Sequence, residues 1–282
     1  MATTRTRAAL VTGCSSGIGR ATALALASEG FVVFATARRV DSLEDLAARG
    51  CRTLPLDVTS EESMVAAVAA VERAHGHIDV LVNNAGYALQ GAVEDVPLDA
   101  VRTQFETNVF GLVRLTQLVL PGMRAAGRGR VINIGSMGGR FTFPGGGFYH
   151  ASKHAVESLS DALRLEVAPF GIQVVLVQPG PVVSSFVDAA VDSVDTQEGP
   201  YSEFNQALVD RYREAYDGSS ANLEISPEKV AEVIVSAATS SGPRPRYAVG
   251  TMAKTLITTR RLLPDVAWDT VIRRVWPTPK GR

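Results

Sequence analysis

Two side chains that can exchange a proton stand four residues apart in the stretch GGGFYHASKHAVESL, residues 145–159. Tyr149 and Lys153 share one face if this stretch is helical, because residues four apart are neighbours on a helix. A free tyrosine has a pKa of about 10, and a nearby ammonium stabilises the phenolate and lowers that pKa. The pair could then exchange a proton with a substrate oxygen. Taken alone, such a pair is more often an exposed helix pair without chemistry.

A second stretch, VTGCSSGIGRATALAL, has the composition of a phosphate-binding loop. Gly13, Gly17 and Gly19 separate an apolar run from a helix-forming run. Glycine lets the backbone turn tightly and approach a ligand, and a helix N-terminus offers free N–H groups to a pyrophosphate. The alternative is a tight turn that binds nothing.

The elements that must position these residues alternate between short apolar runs and longer helical patterns. Helices are predicted over residues 19–30, 41–50, 60–76 and 105–127, with a further helix that carries Tyr149 and Lys153. Strands are predicted within residues 8–12, 31–37, 51–58, 78–86, 129–136, 172–180 and 246–250. Apolar strands that alternate with helices predict a parallel sheet covered on both faces. The fold class is therefore α/β, with a doubly wound parallel seven-stranded sheet (Rossmann fold) in one domain over residues 1–282, and ligands are expected at the carboxyl ends of the strands.

Two segments depart from this alternation. Residues 185–225 are polar and follow the sixth strand, which predicts a substrate lid; an irregular surface insertion is the alternative. Residues 251–282 form a predicted helical tail that packs on the edge of its own domain. A basic amphipathic helix lying on a membrane surface is the other interpretation of this tail.

Composition excludes several classes of function. The apolar and charged shares of 46% and 20% are those of an ordinary soluble protein, and the net charge of −1 gives no indication of a nucleic-acid partner. The two cysteines, Cys14 and Cys51, lack metal-site or redox spacing, and no run is long enough for a membrane span or a signal peptide. His150 and His154 have a spacing that zinc can use, but no third ligand is evident, so no metal is predicted. We expect a cytoplasmic protein, with Cys14 a buried filler rather than a reactive thiol.

Six short motifs together resemble the short-chain dehydrogenase/reductase family in its single-domain branch. They are the G-x-x-x-G-x-G loop, NNAG at 83–86, the asparagine of TNVFG, GS at 135–136, YHASK at 149–153 and PGPVVS at 179–184. They follow the family's order and separations over residues 8–185, about two-thirds of the chain. The loop TGCSSGIG with ATARR is most similar to the hydroxysteroid and retinol dehydrogenase-like members.

This resemblance implies a catalytic tetrad of Asn108, Ser136, Tyr149 and Lys153. Tyr149 would be the general acid/base, Lys153 would lower its pKa and hold ribose hydroxyls, and Ser136 would bond the substrate oxygen. Asn108 would hold a water in a proton relay. The cofactor-contacting positions implied are Gly13, Ser15, Ser16, Gly17, Ile18, Gly19, Arg38, Arg39, Asp57, Val58, Asn83, Ala85, Gly86, Tyr149, Lys153, Pro179, Gly180, Val182 and Ser184.

Arg38 and Arg39 favour NADP(H) over NAD(H). They stand where an acidic residue would bind the ribose 2′-hydroxyl of NAD, and a guanidinium suits a 2′-phosphate instead. Solvated surface arginines are the alternative.

The resulting hypothesis is an NADP(H)-dependent oxidoreductase acting on a carbonyl or secondary alcohol. The resemblance suggests a bulky apolar small molecule of steroid, retinoid or ketone type, for which Phe141, Phe143, Phe148, Phe186 and Tyr201 could line the pocket. The alternatives are an NAD-preferring alcohol dehydrogenase, a dinucleotide-binding regulator without catalysis, and a sugar-nucleotide epimerase, against which the glycine spacing argues. A homodimer through the helices near Asn108 and Tyr149 is expected, with a tetramer as the alternative.

Overall fold

The structure, a computed structural model, describes residues 6–184, 186–215 and 224–279. In this part of the chain seven strands form one sheet in the order β3-β2-β1-β4-β5-β6-β7, and every neighbouring pair is parallel. The strands are β1 (Ala8–Val11), β2 (Val32–Ala37), β3 (Arg52–Pro55), β4 (Val80–Asn83), β5 (Gly129–Ile134), β6 (Ile172–Pro179) and β7 (Arg246–Val249). The predicted doubly wound sheet is confirmed.

Helices cover both faces of this sheet. They are α1 (Gly17–Ser28), α2 (Glu44–Ala48), α3 (Glu61–His75), α4 (Leu98–Phe105), α5 (Leu112–Ala125), α6 (Gly147–Val167), α7 (Phe186–Asp192), α8 (Ser202–Ala215), α9 (Pro227–Thr239), α10 (Thr251–Leu262) and α11 (Asp265–Val275). Leu26 of α1 and Ile234 of α9 pack on one face. Val71 of α3 and Leu115 of α5 pack on the other. The four side chains are fully buried, and each contributes about 1.5–3 kcal/mol by leaving water.

The strand order turns back between β1 and β4, which are neighbours although β2 and β3 lie between them in sequence. At such a point the connections leave the sheet in opposite directions and open a crevice at the carboxyl ends. The glycine loop follows β1, and residues 84–86 follow β4. The topology therefore brings these two motifs to one edge.

The helix predicted over 105–127 differs from the observed one in its start and its regularity. The helical run begins at Leu98, whose side chain is 63% exposed, and within α4 only Gln104 is buried. Leu98, Val101 and Phe105 nevertheless recur at helical spacing, so the earlier start could have been predicted from the sequence. A π-helical turn over Glu106–Gly111 then interrupts the helix and contains Asn108. Such turns are rare and occur often at functional sites.

The described parts of the predicted lid are helical. Helices α7 and α8 occupy most of residues 186–215, while position 185 and positions 216–223 lie outside the described residues. At the far end of the segment, Ile225 pairs with residues 181–183 through two backbone hydrogen bonds of 3.0 and 3.2 Å.

The C-terminal tail packs on its own chain through two tryptophans. Trp268 of α11 is 4% exposed, and its ring centroid lies 5.4 Å from that of Phe141. Trp276 donates its indole N–H to the Pro144 carbonyl at 2.8 Å and stacks on Phe143 at 4.2 Å. Residues 280–282 of the predicted tail lie outside the described part. None of the helices within the described ranges is long and apolar enough to cross a membrane.

Candidate active site

A cavity of about 730 Å³ lies along the carboxyl edge of the sheet and joins the glycine loop to the helix that carries Tyr149 and Lys153. We call the part of its wall formed by the glycine loop and Arg38 the polar arm, and the part formed by Phe143, Phe186 and Tyr212 the apolar arm. Tyr149 and Ser136 line the same cavity and are hydrogen-bonded to each other, so a reacting group could contact both at once.

Tyr149, Lys153 and Ser136 are held together by two elements. Tyr149 and Lys153 lie one turn apart on α6, and the Lys153 ammonium nitrogen is 5.9 Å from the centroid of the tyrosine ring. Lys153 is 6% exposed and donates to the Ile134 carbonyl at 2.9 Å. Ser136 follows β5, accepts a hydrogen bond from the Gly138 N–H at 3.0 Å and is in hydrogen-bond contact with Tyr149.

Burial dominates the acid–base properties of this group. Desolvation raises the pKa of Tyr149 to about 12, although the hydrogen bond with Ser136 lowers it in part. Desolvation also lowers the pKa of Lys153 to about 8. From the sequence we expect Lys153 to lower the pKa of Tyr149, but in this structure burial raises that pKa, and Tyr149 is protonated near neutral pH.

Asn108 lies behind this group and does not line the cavity. Its side-chain oxygen accepts from the Tyr87 N–H at 3.0 Å, and its amide donates to the Tyr87 carbonyl at 2.9 Å and to the Ser152 hydroxyl at 3.1 Å. It is 1% exposed. Its side chain therefore braces the loop after β4, and its role in a proton relay stays a prediction.

The glycine loop is shaped by close backbone approaches. Gly13 and Gly17 adopt φ angles of 70° and 54°, a region that favours glycine. A Cβ on Gly19 would lie 2.3 Å from the Gly13 carbonyl oxygen and 2.5 Å from the Asn84 side-chain nitrogen. Asn84 donates from that nitrogen to the carbonyls of Thr12 and Gly13 at 2.8 and 3.1 Å. Gly19 therefore acts on the loop through its packing rather than by lining the cavity.

The polar arm ends at charged and apolar residues that follow β2 and β3. Arg38 is exposed at the cavity wall, beside Asp57 and the buried Val58. Burial alone would raise the pKa of Asp57, but hydrogen bonds from Thr59 and the charge of Arg38 hold it below its usual value. Arg39 is exposed and does not line the cavity, so only one of the two predicted arginines lies at this end.

Most predicted site residues meet in this one cavity. Those that line it are Gly13, Ser15, Ser16, Gly17, Ile18, Arg38, Asp57, Val58, Ala85, Gly86, Ser136, Tyr149, Lys153, Pro179, Gly180, Val182 and Ser184. Gly19, Arg39, Asn83 and Asn108 do not. Asn83 instead donates to Thr116 and Asn133 inside the core, at 3.0 and 2.9 Å. Its neighbour Asn84 lines the cavity, and the sequence motif alone does not distinguish the two.

The apolar arm differs from the predicted substrate pocket. Phe143 and Phe186 line it, together with Val187, Ala190 and Tyr212, which sequence reasoning missed. Phe141 packs against Trp268, Tyr201 donates its hydroxyl to Glu94, and Phe148 lies outside the wall as well. Helices α7 and α8 thus supply part of the wall. That they close over a substrate remains a prediction.

Two other predicted features can be placed. Cys14 is fully buried, and burial raises the pKa of its thiol to about 12, which leaves it an unreactive filler. His150 is buried whereas His154 is exposed. Across the described ranges, no group of three metal-binding side chains forms a cluster.

The sequence model of a family described as short chain dehydrogenase matches residues 7–195. The 3-ketodihydrosphingosine reductase of Bacteroides thetaiotaomicron is 38% identical over 259 residues, which cover 91% of this chain and 93% of that protein. The 17-beta-hydroxysteroid dehydrogenase type 1 of Homo sapiens is 36% identical over 272 residues, which cover 90% of this chain and 78% of that protein.

Solved structures resemble this fold over nearly its whole length. A short-chain dehydrogenase from Streptomyces avermitilis superposes with a TM-score of 0.79 at 37% identity and covers 97% of this chain and 99% of its own. The actinorhodin polyketide ketoreductase with NADPH superposes with a TM-score of 0.74 at 33% identity, covering 89% and 98%. The chain therefore belongs to the short-chain dehydrogenase/reductase family.

Proposed function

We propose that this protein is an NADP(H)-dependent oxidoreductase that interconverts a carbonyl compound and a secondary alcohol. One observation carries the proposal: Tyr149, Ser136 and Lys153 line one cavity together with the glycines of the polar arm and the apolar side chains of the apolar arm. A dinucleotide in the polar arm and a substrate in the apolar arm would meet beside these three residues.

The polar arm fits a dinucleotide phosphate. Gly13 and Gly17 expose backbone at the N-terminus of α1, where free N–H groups and the helix dipole attract anions. A Cβ on Gly17 would lie 3.2 Å from Ser184, so a larger residue would narrow the arm between the glycine loop and the loop after β6. When bound, NADPH supplies the hydride.

The residues of this chain then handle the proton. In reduction, a ketone gains a hydride at carbon and a proton at oxygen, and Tyr149 donates that proton from its hydroxyl. Like any tyrosine whose pKa is about 10 or higher, Tyr149 is protonated at neutral pH and can act as a proton donor. The Ser136 hydroxyl hydrogen-bonds the substrate oxygen, and the Lys153 ammonium stabilises the phenolate that remains. Oxidation runs through the same atoms in reverse.

Arg38 supports NADP(H) over NAD(H). Its guanidinium is exposed at the end of the cavity where the second strand stops, and it can pair with a 2′-phosphate. Asp57, the carboxylate nearby, is held by Thr59 at 2.9 and 2.7 Å. The ketoreductase at 33% identity has a structure with NADPH, in agreement with this choice.

The apolar arm favours an apolar substrate. Phe143, Phe186, Val187 and Ala190 form much of its wall. Burial of such surface stabilises a hydrocarbon part of a ligand by about 25 cal/mol per Å². The names of two relatives, a ketosphingoid reductase and a hydroxysteroid dehydrogenase, agree with a ketone attached to a large apolar group.

The same reasoning extends to assembly. Phe110, Leu159 and Leu165 are 55%, 40% and 67% exposed and lie on the π-helical turn and α6. A homodimer through these helices would cover them. Sedimentation analysis of Leu165→Glu, with wild type beside it, tests this: a dimer in wild type and a monomer in the variant are expected, and a monomeric wild type would refute it.

Turnover measurements test the proposed function. Consumption of NADPH is followed at 340 nm with aliphatic ketones, ketosteroids and quinones, with NADH in parallel and Tyr149→Phe as the matched variant. We expect NADPH-dependent reduction of at least one apolar ketone and its loss in the variant. Tight NADPH binding without tyrosine-dependent turnover of any of these compounds would favour the regulator alternative.

A further inference from the structure

Two buried polar atoms on the wall of the apolar arm have no hydrogen-bond partner among the described residues. They are the Nε2 atom of His150 and the Oε1 atom of Gln90. The two side chains are 1% and 3% exposed, and both line the cavity. Leaving a buried polar group unpaired costs about 1–3 kcal/mol, so such atoms indicate a missing ligand or water.

The protonation of His150 follows from its other nitrogen. Nδ1 lies 2.8 Å from the Gly138 carbonyl, which can only accept, so Nδ1 carries the hydrogen. Desolvation lowers the pKa of His150 to about 4, and the ring is therefore neutral near pH 7. Nε2 must then present a bare lone pair to the cavity. Phe143 packs edge-on at 4.3 Å and keeps the ring in place.

The two unpaired atoms both lie close to Gly146. A Cβ on Gly146 would clash with His150 Nε2 at 2.5 Å and would lie 3.3 Å from Gln90 Oε1, so a side chain at this position would press on both groups. Gln90 is itself anchored, since its backbone N–H donates to Ser193 at 2.9 Å. Its carboxamide can turn either its oxygen or its nitrogen toward a ligand.

His150 lies next to the proton-exchanging residues. Gly138 donates its N–H to Ser136 and accepts from His150, which ties the two side chains to one residue. The ring centroids of His150 and Tyr149 are 5.7 Å apart. A group bound at His150 would therefore lie within a few bonds of a carbonyl held by Tyr149 and Ser136.

We propose that His150 and Gln90 form a subsite for a substrate hydroxyl next to the reacting carbonyl. The hydroxyl donates to His150 Nε2 and exchanges a second hydrogen bond with Gln90. A neutral donor suits the subsite better than an ammonium, because an ammonium would need a carboxylate close by. Asp57 is the one carboxylate among the described lining residues, and it lies in the polar arm. The substrate class is thus an apolar α- or β-hydroxyketone. This inference rests on the proposed function.

The test compares three ketones that differ only beside the carbonyl: 1-hydroxy-2-octanone, 1-methoxy-2-octanone and 2-octanone. The methoxy compound keeps the inductive effect but cannot donate. We expect kcat/KM of wild type for the hydroxyketone to exceed that for the methoxyketone by about tenfold or more, because buried polar sites reject ligands that leave them unpaired.

Two variants remove the acceptors separately. His150→Asn keeps a donor for the Gly138 carbonyl but lacks Nε2, and Gln90→Met keeps the length of the side chain without its amide. In each, the preference for the hydroxyketone over the methoxyketone should fall to about threefold or less, which corresponds to one lost hydrogen bond. A full preference that persists in both variants, or no preference in wild type, would overturn the subsite.

Binding separates this inference from the proposed function. Calorimetry on the cofactor-free protein compares 1,2-octanediol with 2-octanol, neither of which can react without cofactor. If wild type reduces no ketone but binds the diol about tenfold more tightly, and His150→Asn does not, the proposed function fails and the subsite stands. Equal affinity for the two alcohols in wild type would overturn the subsite, whatever the turnover.

Discussion

Replacement of Gly19 by alanine tests whether the phosphate-binding loop is shaped by packing behind it. The added Cβ would lie 2.3 Å from the Gly13 carbonyl oxygen, about 1 Å closer than van der Waals contact allows. Gly13 or Asn84 must move, and such overpacking costs about 1–3 kcal/mol. Alanine is also the better helix former by about 1 kcal/mol, which offsets part of the clash. We expect a net loss of about 1–2 kcal/mol in the free energy of unfolding.

The same shift should weaken cofactor binding, because Gly13 lines the cavity that Gly19 does not reach. Urea unfolding and titration of NADPH fluorescence measure the two effects, and we expect the Kd for NADPH to rise about tenfold or more. Gly199→Ala is the matched control, since a Cβ there meets no atom within 4 Å. Unchanged stability and unchanged Kd in Gly19→Ala would refute the packing argument.

Three further predictions concern other parts of the chain. Arg38→Glu removes a charge-assisted hydrogen bond to a 2′-phosphate, which is worth about 1.5–3 kcal/mol. The Kd for NADPH should therefore rise about 10- to 100-fold, while the Kd for NADH does not rise. An equal rise in both Kd values would contradict the role of Arg38 in binding the 2′-phosphate. Burial lowers the pKa of His150 from 6.5 to about 4, so between these pH values the unfolded chain binds a proton at this side chain and the folded chain does not. The free energy of unfolding should therefore fall by about 2–3 kcal/mol as the pH drops through that range. Urea unfolding across this range should show a shallower fall in His150→Asn, and identical pH dependence in both proteins would refute the attribution. Trp268→Ala should cost about 3–5 kcal/mol, because its ring is 4% exposed against Phe141; a loss below 1 kcal/mol would mean that α11 is not packed as described.

The sheet could be predicted because its five inner strands are largely buried and read as apolar runs, whereas the edge strands β3 and β7 are more exposed. Each of the seven predicted runs contains one observed strand. The crevice could also be placed, since parallel strands put their carboxyl ends at one edge. Composition does not show which loops approach one another. The prediction that Gly13, Ser136 and Tyr149 belong to one site came from the order of the motifs along the chain.

Features set by tertiary packing could not be predicted. The π-helical turn after α4 has no sequence signature, whereas the start of α4 could have been found from the helical spacing of Leu98, Val101 and Phe105. Asn83 and Asn84 are adjacent, and a shift of one residue decides which side chain enters the core and which braces the glycine loop. Arg39 stands beside Arg38 in sequence but not at the cavity.

His150 shows the same limit for the candidate site. Its spacing from His154 is one that zinc can use, although no metal is predicted from the sequence, and only the fold reveals that one nitrogen bonds Gly138 and the other is unpaired in the cavity. Gln90 carries no motif at all and reaches the wall from the loop after β4. The residues that choose a substrate thus come from segments whose position depends on long-range packing.

Transfer of deuterium from labelled NADPH tests the central claim most directly. Wild type is incubated with NADPH that carries deuterium at C4 of the nicotinamide, on the face from which the hydride leaves, together with a reducible apolar ketone; each C4 epimer of the label is used in turn. The alcohol product is then analysed by mass spectrometry. We expect wild type to form alcohol with one deuterium at the carbinol carbon from one of the two epimers. We expect the Tyr149→Phe variant to bind NADPH but to form no alcohol. Unlabelled alcohol with both epimers, or undiminished product in the variant, would contradict the central claim.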